Sequence, residues 1–318
     1  MTGMVHWLKA FVMEIVLLVL ILVLAVEAQG FFTLDNGLNV LRNVSMQGII
    51  AFGMTMVIIS GEIDLSVGSA VAFAGCLTAY LTGFLAGWAW PLELAVPVAI
   101  LGCLAVGSGV GILTGFIRTR FNVPTFITTL AWMTVLTGAA ELITDGFPLT
   151  PFPEWYNFIG GGYLLGVPFP ALVFVVVCIL AHLVMGHTAF GRAVYAVGGN
   201  AEAARLSGIR VGRIKIAVMA TVAFLAAAAG IMQSAEIMSG TATTAKGWEL
   251  DIIAAVIIGG TSLMGGEGRI RGTLVGVIFL GVLVNGMTLL NISEYWQNVV
   301  RGGLILGAVL LNRAHQGR

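Results

Sequence analysis

Long apolar runs separated by short polar connections dominate this chain. A helix crosses a bilayer with about 20 largely apolar residues, so such runs predict spanning helices. The pattern predicts an all-α, polytopic membrane protein with about ten spanning helices, folded as a single domain over residues 1–318. The eighth run is short, and few residues separate the second run from the third. We expect the spans near residues 11–29, 44–60, 66–86, 92–117, 124–143, 170–186, 216–236, 251–265, 272–290 and 296–312.

The positions of the basic residues orient the predicted spans. Lys and Arg concentrate in the cytoplasmic connections of membrane proteins. With both chain ends in the cytoplasm, only Arg42, Lys246 and Arg301 of the 15 basic residues lie on or near the other side. The opposite orientation would reverse this bias. The residues predicted on the cytoplasmic side are Lys9, Arg118, Arg120, Arg192, Arg205, Arg210, Arg213, Lys215, Arg269, Arg271, Arg313 and Arg318.

Composition places most of the protein surface in lipid. Hydrophobic residues make up 58% of the chain and charged residues only 9%, against about 25% charged in soluble domains. Membrane lipid is therefore an expected partner, whereas a net charge of zero gives no reason to expect nucleic acid. Cys76, Cys103 and Cys178 lie in apolar runs, so we interpret them as packing residues and expect no metal site. Residues 27–29 make a poor cleavage site, and the first run is interpreted as a retained span.

The most polar connection, residues 187–215, is predicted to hold a short helix that needs a partner surface. Asn200 can cap its first turn, and Gly208 can take the left-handed conformation that ends a helix. Ala203 and Leu206 lie three residues apart and share an apolar face. A helix of about seven residues is unstable alone in water, which favours docking onto another protein. The candidate docking residues are Asn200, Glu202, Ala203, Arg205, Leu206, Ser207 and Gly208.

A second polar motif, SGEIDLSVGS at residues 60–69, lies between the second and third predicted spans. Carboxylates near the hydrocarbon are costly unless they are capped or paired. Asp64 is expected to cap a helix that starts at Leu65, and the two flanking glycines are expected to permit a backbone break. The alternative interpretation of its carboxylates is a proton or cation relay. The residues of this motif are Gly61, Glu62, Asp64, Leu65, Ser66 and Gly68.

A related break is expected at residues 259–272, GGTSLMGGEGRIRG. Both breaks follow the same three residues, Val-Ile-Ile, at 57–59 and at 256–258. Internal repeats are common in transporters, and this short match hints at one.

Glycine and threonine patterns supply packing and lining candidates. Glycines four residues apart let helix backbones approach closely, and we expect three such sets, at 107, 111 and 115, at 272 and 276, and at 303 and 307, to pack within one subunit. The alternative is a subunit interface. The connection 145–169 is predicted to be a turn-rich extracytoplasmic loop with a short helix near residues 154–158. The candidate pathway-lining residues, which alternatively satisfy neighbouring backbone groups, are Asn122, Thr125, Thr128 and Thr129.

No motif for energy coupling is found in the sequence. A Walker-type phosphate loop needs G-x-x-x-x-G-K-[ST]. Residues 240–247 come nearest, but Ala245 replaces the second glycine and no hydroxyl residue follows Lys246. The serine, histidine and acidic residues form no nucleophile set. We therefore expect no catalytic residue and no cofactor in this chain, so that any driving reaction takes place elsewhere.

Three motifs in order resemble one known family. GEIDLSVGS at 61–69, the segment 191–209 with its ending YAVGGNAEAARLSGI, and ELDIIAAVIIGGTSLMGGEG at 249–268 resemble the membrane permease subunits of ribose-type ABC importers, a family that includes xylose, galactose and autoinducer-2 permeases. The resemblance covers residues 36–312. It implies the ten-span fold of the vitamin-B12-type importers, the bacterial inner membrane, and a second permease subunit, identical or different. It also implies a cytoplasmic ATPase that binds ATP and Mg, a periplasmic solute-binding protein, and a monosaccharide or sugar-like solute.

Three alternative functions were compared with the sugar-importer interpretation: an amino-acid permease, a secondary transporter and a structural subunit. Branched-chain amino-acid permeases are similar, but their equivalent of residues 61–69 usually lacks the core that this chain carries at 63–66. In this chain Glu62 stands where many sugar permeases have glycine. A secondary transporter would couple solute to protons or cations through Glu62, Asp64 or Glu141, and a structural subunit would have no pathway. The predicted docking helix favours the ABC importer, because a secondary transporter has no motor to dock.

Overall fold

The computed structural model describes residues 12–316, apart from the side chains of residues 308, 309 and 311–316. The prediction that both chain ends lie in the cytoplasm concerns residues 1–11 and 317–318, which lie outside the described residues. The described chain is helical almost throughout. Its helices are α1 Val12–Glu27, α2 Leu34–Ile59, α3 Val67–Gly87, α4 Leu92–Phe121, α5 Thr125–Thr144, α6 Asn157–Gly161, α7 Phe169–His187, α8 Ala189–Gly199, α9 Ala201–Leu206, α10 Val211–Ile237, α11 Trp248–Ile258, α12 Ile270–Leu289 and α13 Glu294–Gln316.

Seven of these helices are long and apolar enough to cross a membrane, counted over the described residues. They are α2, α3, α4, α5, α7, α10 and α12, and each coincides with a predicted span. One predicted span is shorter than expected, since α11 has only 11 residues. The prediction of a span over 251–265 is wrong in extent: α11 ends at Ile258, where Gly259 and Gly260 lead into a turn.

The core forms around the second half of α2. From Val44 to Ile59 this helix is almost fully buried, and α7, α10, α11 and α12 pack around it. Thr33 begins the helix by accepting a hydrogen bond from the Asn36 amide at 3.3 Å. The first half of α2 is half-exposed and more polar. A single helix therefore runs from a polar region into the apolar centre of the bundle.

Two of the three predicted glycine sets pack within the chain. On α4, Gly107, Gly111 and Gly115 lie against the backbone and alanines of α10, and the glycines at 272 and 276 on α12 lie against α11. These approaches leave no room for a Cβ atom, which is why close helix pairs need glycine. No described residue lies within 4 Å of the Cβ position at Gly303 or Gly307, so close packing of this set stays a prediction.

The predicted loop at 145–169 is ordered by short elements. A 3₁₀ turn at Glu154–Tyr156 leads into α6, in agreement with the helix expected there. Strands β1 (Tyr163–Leu164) and β2 (Val167–Pro168) follow as an antiparallel hairpin. Tyr156 is fully buried, and its hydroxyl contacts Ser234 Oγ at 2.8 Å. The loop is thus anchored to α10, at the end of the bundle opposite the 187–215 connection.

Candidate functional site

The 187–215 connection folds into two helices that lie across one end of the bundle. Thr188 caps α8 by accepting a hydrogen bond from the Gly191 amide at 3.2 Å. The sequence analysis missed α8, although Thr188 and the buried residues Val194 and Val197 are typical signals of an amphipathic helix. The helix α9 follows directly, with only Asn200 between the two.

The caps predicted for the docking helix are confirmed. Asn200 Oδ1 accepts a hydrogen bond from the Ala203 amide at 2.9 Å, which satisfies one of the free donors of the first turn. At the other end Gly208 has a φ of +86°. The Ile209 amide bonds back to the Ala204 carbonyl at 3.0 Å, and this ending is a Schellman motif. The helix has six residues, one fewer than expected.

The outer face of α9 carries the two apolar side chains predicted there. Leu206 is 75% exposed, Ala203 is exposed beside it, and Ala204 faces the bundle. Arg205 pairs with Glu202 of its own helix, with Nε and Oε2 3.0 Å apart. Hydrogen bonding to Arg205 lowers the pKa of Glu202 below its ordinary value, so both groups are charged at neutral pH. The exposed Leu206 thus lies beside a fixed charge pair.

The end of α8 meets both helix breaks at one point, which we call the backbone junction (Ile59, Gly198 and Gly266). The Gly266 amide donates to the Ile59 carbonyl at 2.8 Å, and Gly198 lies directly against that same carbonyl. Tyr195 reinforces the contact by donating from its hydroxyl to the Gly268 carbonyl at 2.9 Å. The end of α8 therefore contacts both the end of α2 and the break that follows α11.

The two breaks have the same backbone ending. In the first, the Gly61 and Glu62 amides bond to the carbonyls of residues 58 and 57, at 3.0 and 3.1 Å. In the second, the Gly260 and Thr261 amides bond to the carbonyls of residues 257 and 256, at 2.8 and 3.2 Å. Both are Schellman motifs with a left-handed glycine. The repeated Val-Ile-Ile sequence is thus matched by an equivalent local structure.

Glu62 is the centre of a buried charge cluster (Glu62, Arg118 and Lys215). Its side chain is 3% exposed. Arg118 Nε, at the end of α4, approaches its two oxygens at 2.9 and 3.1 Å, and Lys215, near the start of α10, is also ion-paired with it. Thr125, the first residue of α5, donates to Oε2 at 2.7 Å. One carboxylate therefore holds three helix ends together.

Two expectations for the 60–69 motif are wrong. Asp64 does not cap a helix at Leu65; α3 begins at Val67, and Asp64 Oδ1 instead accepts from the amide and hydroxyl of Ser66, at 2.8 and 2.6 Å. Such a turn satisfies the backbone before the helix starts. Gly68 does not permit a break either, because it lies within α3 in close contact with Glu249. Gly61, with a φ of +78°, does supply the break.

The candidate lining residues lie beside this motif. Thr129 is fully buried and accepts from the Leu65 amide at 3.1 Å, and Thr125 accepts from the Ile63 amide at 3.3 Å. Thr128 is buried and contacts the carbonyl of residue 124. Asn122 ends α4 in the left-handed conformation and accepts from Arg118 at 2.7 Å. All four side chains thus have protein partners.

The two cationic partners of Glu62 were not predicted from the sequence. Arg118 and Lys215 were expected only as basic residues on the cytoplasmic side. A carboxylate at the membrane edge requires a nearby cation, and this rule together with the basic residues at the ends of adjacent spans could have found both.

Comparison with known proteins identifies the chain. Residues 36–309 match the family model described as branched-chain amino acid transport system / permease component. The chain belongs to this permease family. It is 42% identical to the ribose import permease RbsC of Escherichia coli K12 over 99% of this chain and 98% of that one. RbsC of Bacillus subtilis 168 is 43% identical over 93% and 90%. The xylose permease XylH of Haemophilus influenzae is 32% identical over 97% of each chain. No solved structure matches.

The backbone junction of the permease can be tested with two adjacent glycines. A methyl group at Gly198 would overlap the Ile59 carbonyl, whereas Gly199 has open space around it. We expect Gly198→Ala to destabilise the permease by about 1–3 kcal/mol through overpacking. Gly199→Ala should leave the melting temperature in detergent unchanged or slightly raised. Equal melting temperatures for the two variants would contradict the close approach.

Asp64 of the permease provides a second test. Asp64→Asn retains the acceptor oxygen that serves Ser66, so we expect most of the uptake activity to remain. Asp64→Leu leaves two buried donors of Ser66 without an acceptor, at a cost of about 1–3 kcal/mol each. This variant should give less folded protein in the membrane, measured by gel-filtration yield. Loss of uptake in a well-folded Asn variant would instead show that the charge itself is needed.

Proposed function

We propose that this chain is the membrane subunit of a binding-protein-dependent ABC importer that moves a monosaccharide into the cytoplasm. Its relatives are named import permeases for ribose, xylose and L-arabinose. The chain itself is not an enzyme; ATP hydrolysis takes place on a separate subunit, where ATP and Mg bind. A solute-binding protein delivers the sugar from the other side of the membrane.

The observation that carries the proposal is the exposed docking helix α9. A six-residue helix capped at both ends presents Leu206 to solvent, and an apolar residue so exposed favours a partner surface. Inward from it, α8 reaches the backbone junction and Lys215 reaches the charge cluster. Movement of a docked ATPase can thus reach α2, α4, α5, α10 and α11 through rigid contacts.

The finer assignments follow from the family. We infer ten spans in the fold of the vitamin-B12-type importers, with both chain ends in the cytoplasm, in a bacterial inner membrane. A second permease subunit completes the pathway, and the open space beside Gly303 and Gly307 on α13 suits a helix from another subunit or from elsewhere in the assembly. The side chains of α5 contribute to the pathway wall, since Thr137 and Glu141 line a cavity of about 280 Å³ between α5 and α3.

Reconstitution tests this function against its main alternative. The permease, its ATPase and a ribose-loaded binding protein are assembled in proteoliposomes, and uptake of labelled ribose is followed. We expect uptake to require ATP and the binding protein and to persist when a protonophore is added. Uptake that needs no ATP and is abolished by the protonophore would instead show a secondary transporter that works through Glu62, Asp64 or Glu141.

A further inference from the structure

A polar cavity of about 420 Å³ opens in the half of the bundle away from the docking helix. Its walls come from the first half of α2, the second half of α12, the start of α13, the start of α11 with Lys246 just before it, and Gln233 near the end of α10. Gln47, its deepest residue on α2, lies 12 residues before the end of that helix, about 18 Å along the axis at 1.5 Å per residue. The cavity therefore reaches to roughly the middle of the membrane.

One face of α2 lines this cavity with amides. Asn39, Asn43 and Gln47 are spaced by four residues, so they lie on the same side of the helix. Their side chains make no hydrogen bond with any other described residue. Amides that face hydrocarbon are costly, and within a spanning helix they mark a water-filled cavity or a ligand path. This row is therefore better explained by a polar occupant than by packing.

The three amides differ from Asn285, a fourth amide of the lining, which is already paired. Asn285, across the cavity on α12, exchanges two amide hydrogen bonds with Asn36, at 2.8 and 3.1 Å. That pair fixes the distance between the two helices. The free amides have both a donor and an acceptor to offer, which matches the hydroxyl groups of a sugar.

The charges of the lining suit an uncharged solute. Arg301 Nη1 pairs with Asp251 Oδ2 at 2.9 Å. Lys246 and Glu294 also line the cavity, so the two basic residues balance the two acidic ones. Trp248 adds an aromatic surface on which the C–H face of a sugar ring can pack. The volume lies within the range of about 300–1,000 Å³ that is usual for small-molecule sites.

We propose that this cavity is a binding subsite that receives the neutral sugar after its release from the binding protein. The amides of Asn39, Asn43 and Gln47 bind its hydroxyl groups in place of water. This inference rests on the proposed sugar import and adds the site that the solute occupies on its way through the subunit. Neither the row of amides nor the cavity was anticipated from the sequence.

The test uses the complete importer in proteoliposomes with D-ribose as the probe. We expect Asn43→Leu combined with Gln47→Leu to raise the KM for uptake at least tenfold, with the yield of assembled complex unchanged. Asn43→Gln, which keeps an amide, should stay within threefold of wild type. Asn298→Leu is the matched control, since Asn298 is an exposed amide outside the cavity. An unchanged KM in the double variant would overturn the proposal.

A labelling experiment addresses the case in which the double variant does not fold. Asn43→Cys is made in a chain whose native cysteines are replaced by alanine, and an impermeant thiol reagent is added from outside. We expect ribose-loaded binding protein to slow the labelling at least threefold and free L-leucine to have no effect. Labelling that ribose-loaded binding protein does not slow would overturn the proposal. Failure of the proposed import function can be told apart from failure of this subsite, because vesicles with the wild-type importer would then take up no ribose.

Discussion

Glu62→Gln is expected to destabilise the permease strongly and to abolish uptake. The substitution keeps the shape of the side chain but removes the negative charge that Arg118 and Lys215 share. Breaking a buried ion pair costs about 3–5 kcal/mol, and we expect about 2–4 kcal/mol because a quarter of Arg118 is exposed. The melting temperature in detergent should fall accordingly, and uptake should be lost.

A second substitution tests whether the loss of stability comes from the unbalanced positive charge and not from a change in packing. Adding Lys215→Met to Glu62→Gln removes one surplus cation, so the double variant should regain part of the lost stability. Glu267→Gln is the control, since Glu267 is a carboxylate at the same end of the bundle that takes no part in the cluster. If Glu62→Gln melts at the same temperature as Glu267→Gln, the cluster does not hold the helix ends together.

Leu206→Asp is expected to have the largest effect on transport without affecting the fold. The side chain is 75% exposed, so a carboxylate there disturbs no packing within the chain. On a docked ATPase it would place a charge in an apolar contact. We expect ATPase retention during purification and ribose uptake to fall at least tenfold, while the melting temperature of the isolated permease stays within a degree or two.

A control substitution at the opposite end of the bundle and a second substitution at the end of α9 accompany this prediction. Leu165→Asp changes the exposed residue at the hairpin tip, far from α9, and should retain the ATPase. Gly208→Val strains the left-handed position that turns the chain toward α10, and it should weaken coupling as well. Wild-type ATPase retention in both Leu206→Asp and Gly208→Val would refute the docking assignment.

The helix α9 could be predicted from the sequence because its signals are local. Asn200 and Gly208 stand at either end of one short segment, and each acts on backbone groups a few residues away. Hydropathy likewise located the seven long spanning helices, since each is long and apolar on its own. The extent of α11 was predicted wrongly although its signal is local, because the break expected at 259–272 is incompatible with a span that continues to residue 265.

The charge cluster and the polar cavity depend on contacts that the sequence does not show. Glu62 meets Arg118 and Lys215 across separations of 56 and 153 residues. The cavity combines α2 with helices more than 200 residues later in the chain. The role of Asp64 could not be predicted for a different reason: its sequence context permits either a helix cap or a turn onto Ser66. Three-dimensional packing decides which of the two forms.

The most direct test of the account counts ribose and phosphate in the same vesicles. Proteoliposomes with the permease and its ATPase receive ATP on the side of the docking helix and ribose-loaded binding protein on the other. We predict that ribose accumulates against its gradient in a fixed ratio to the phosphate released, and that Leu206→Asp abolishes this ratio. Ribose accumulation independent of ATP hydrolysis, with wild-type behaviour of Leu206→Asp, would contradict the claim that this permease is driven through α9.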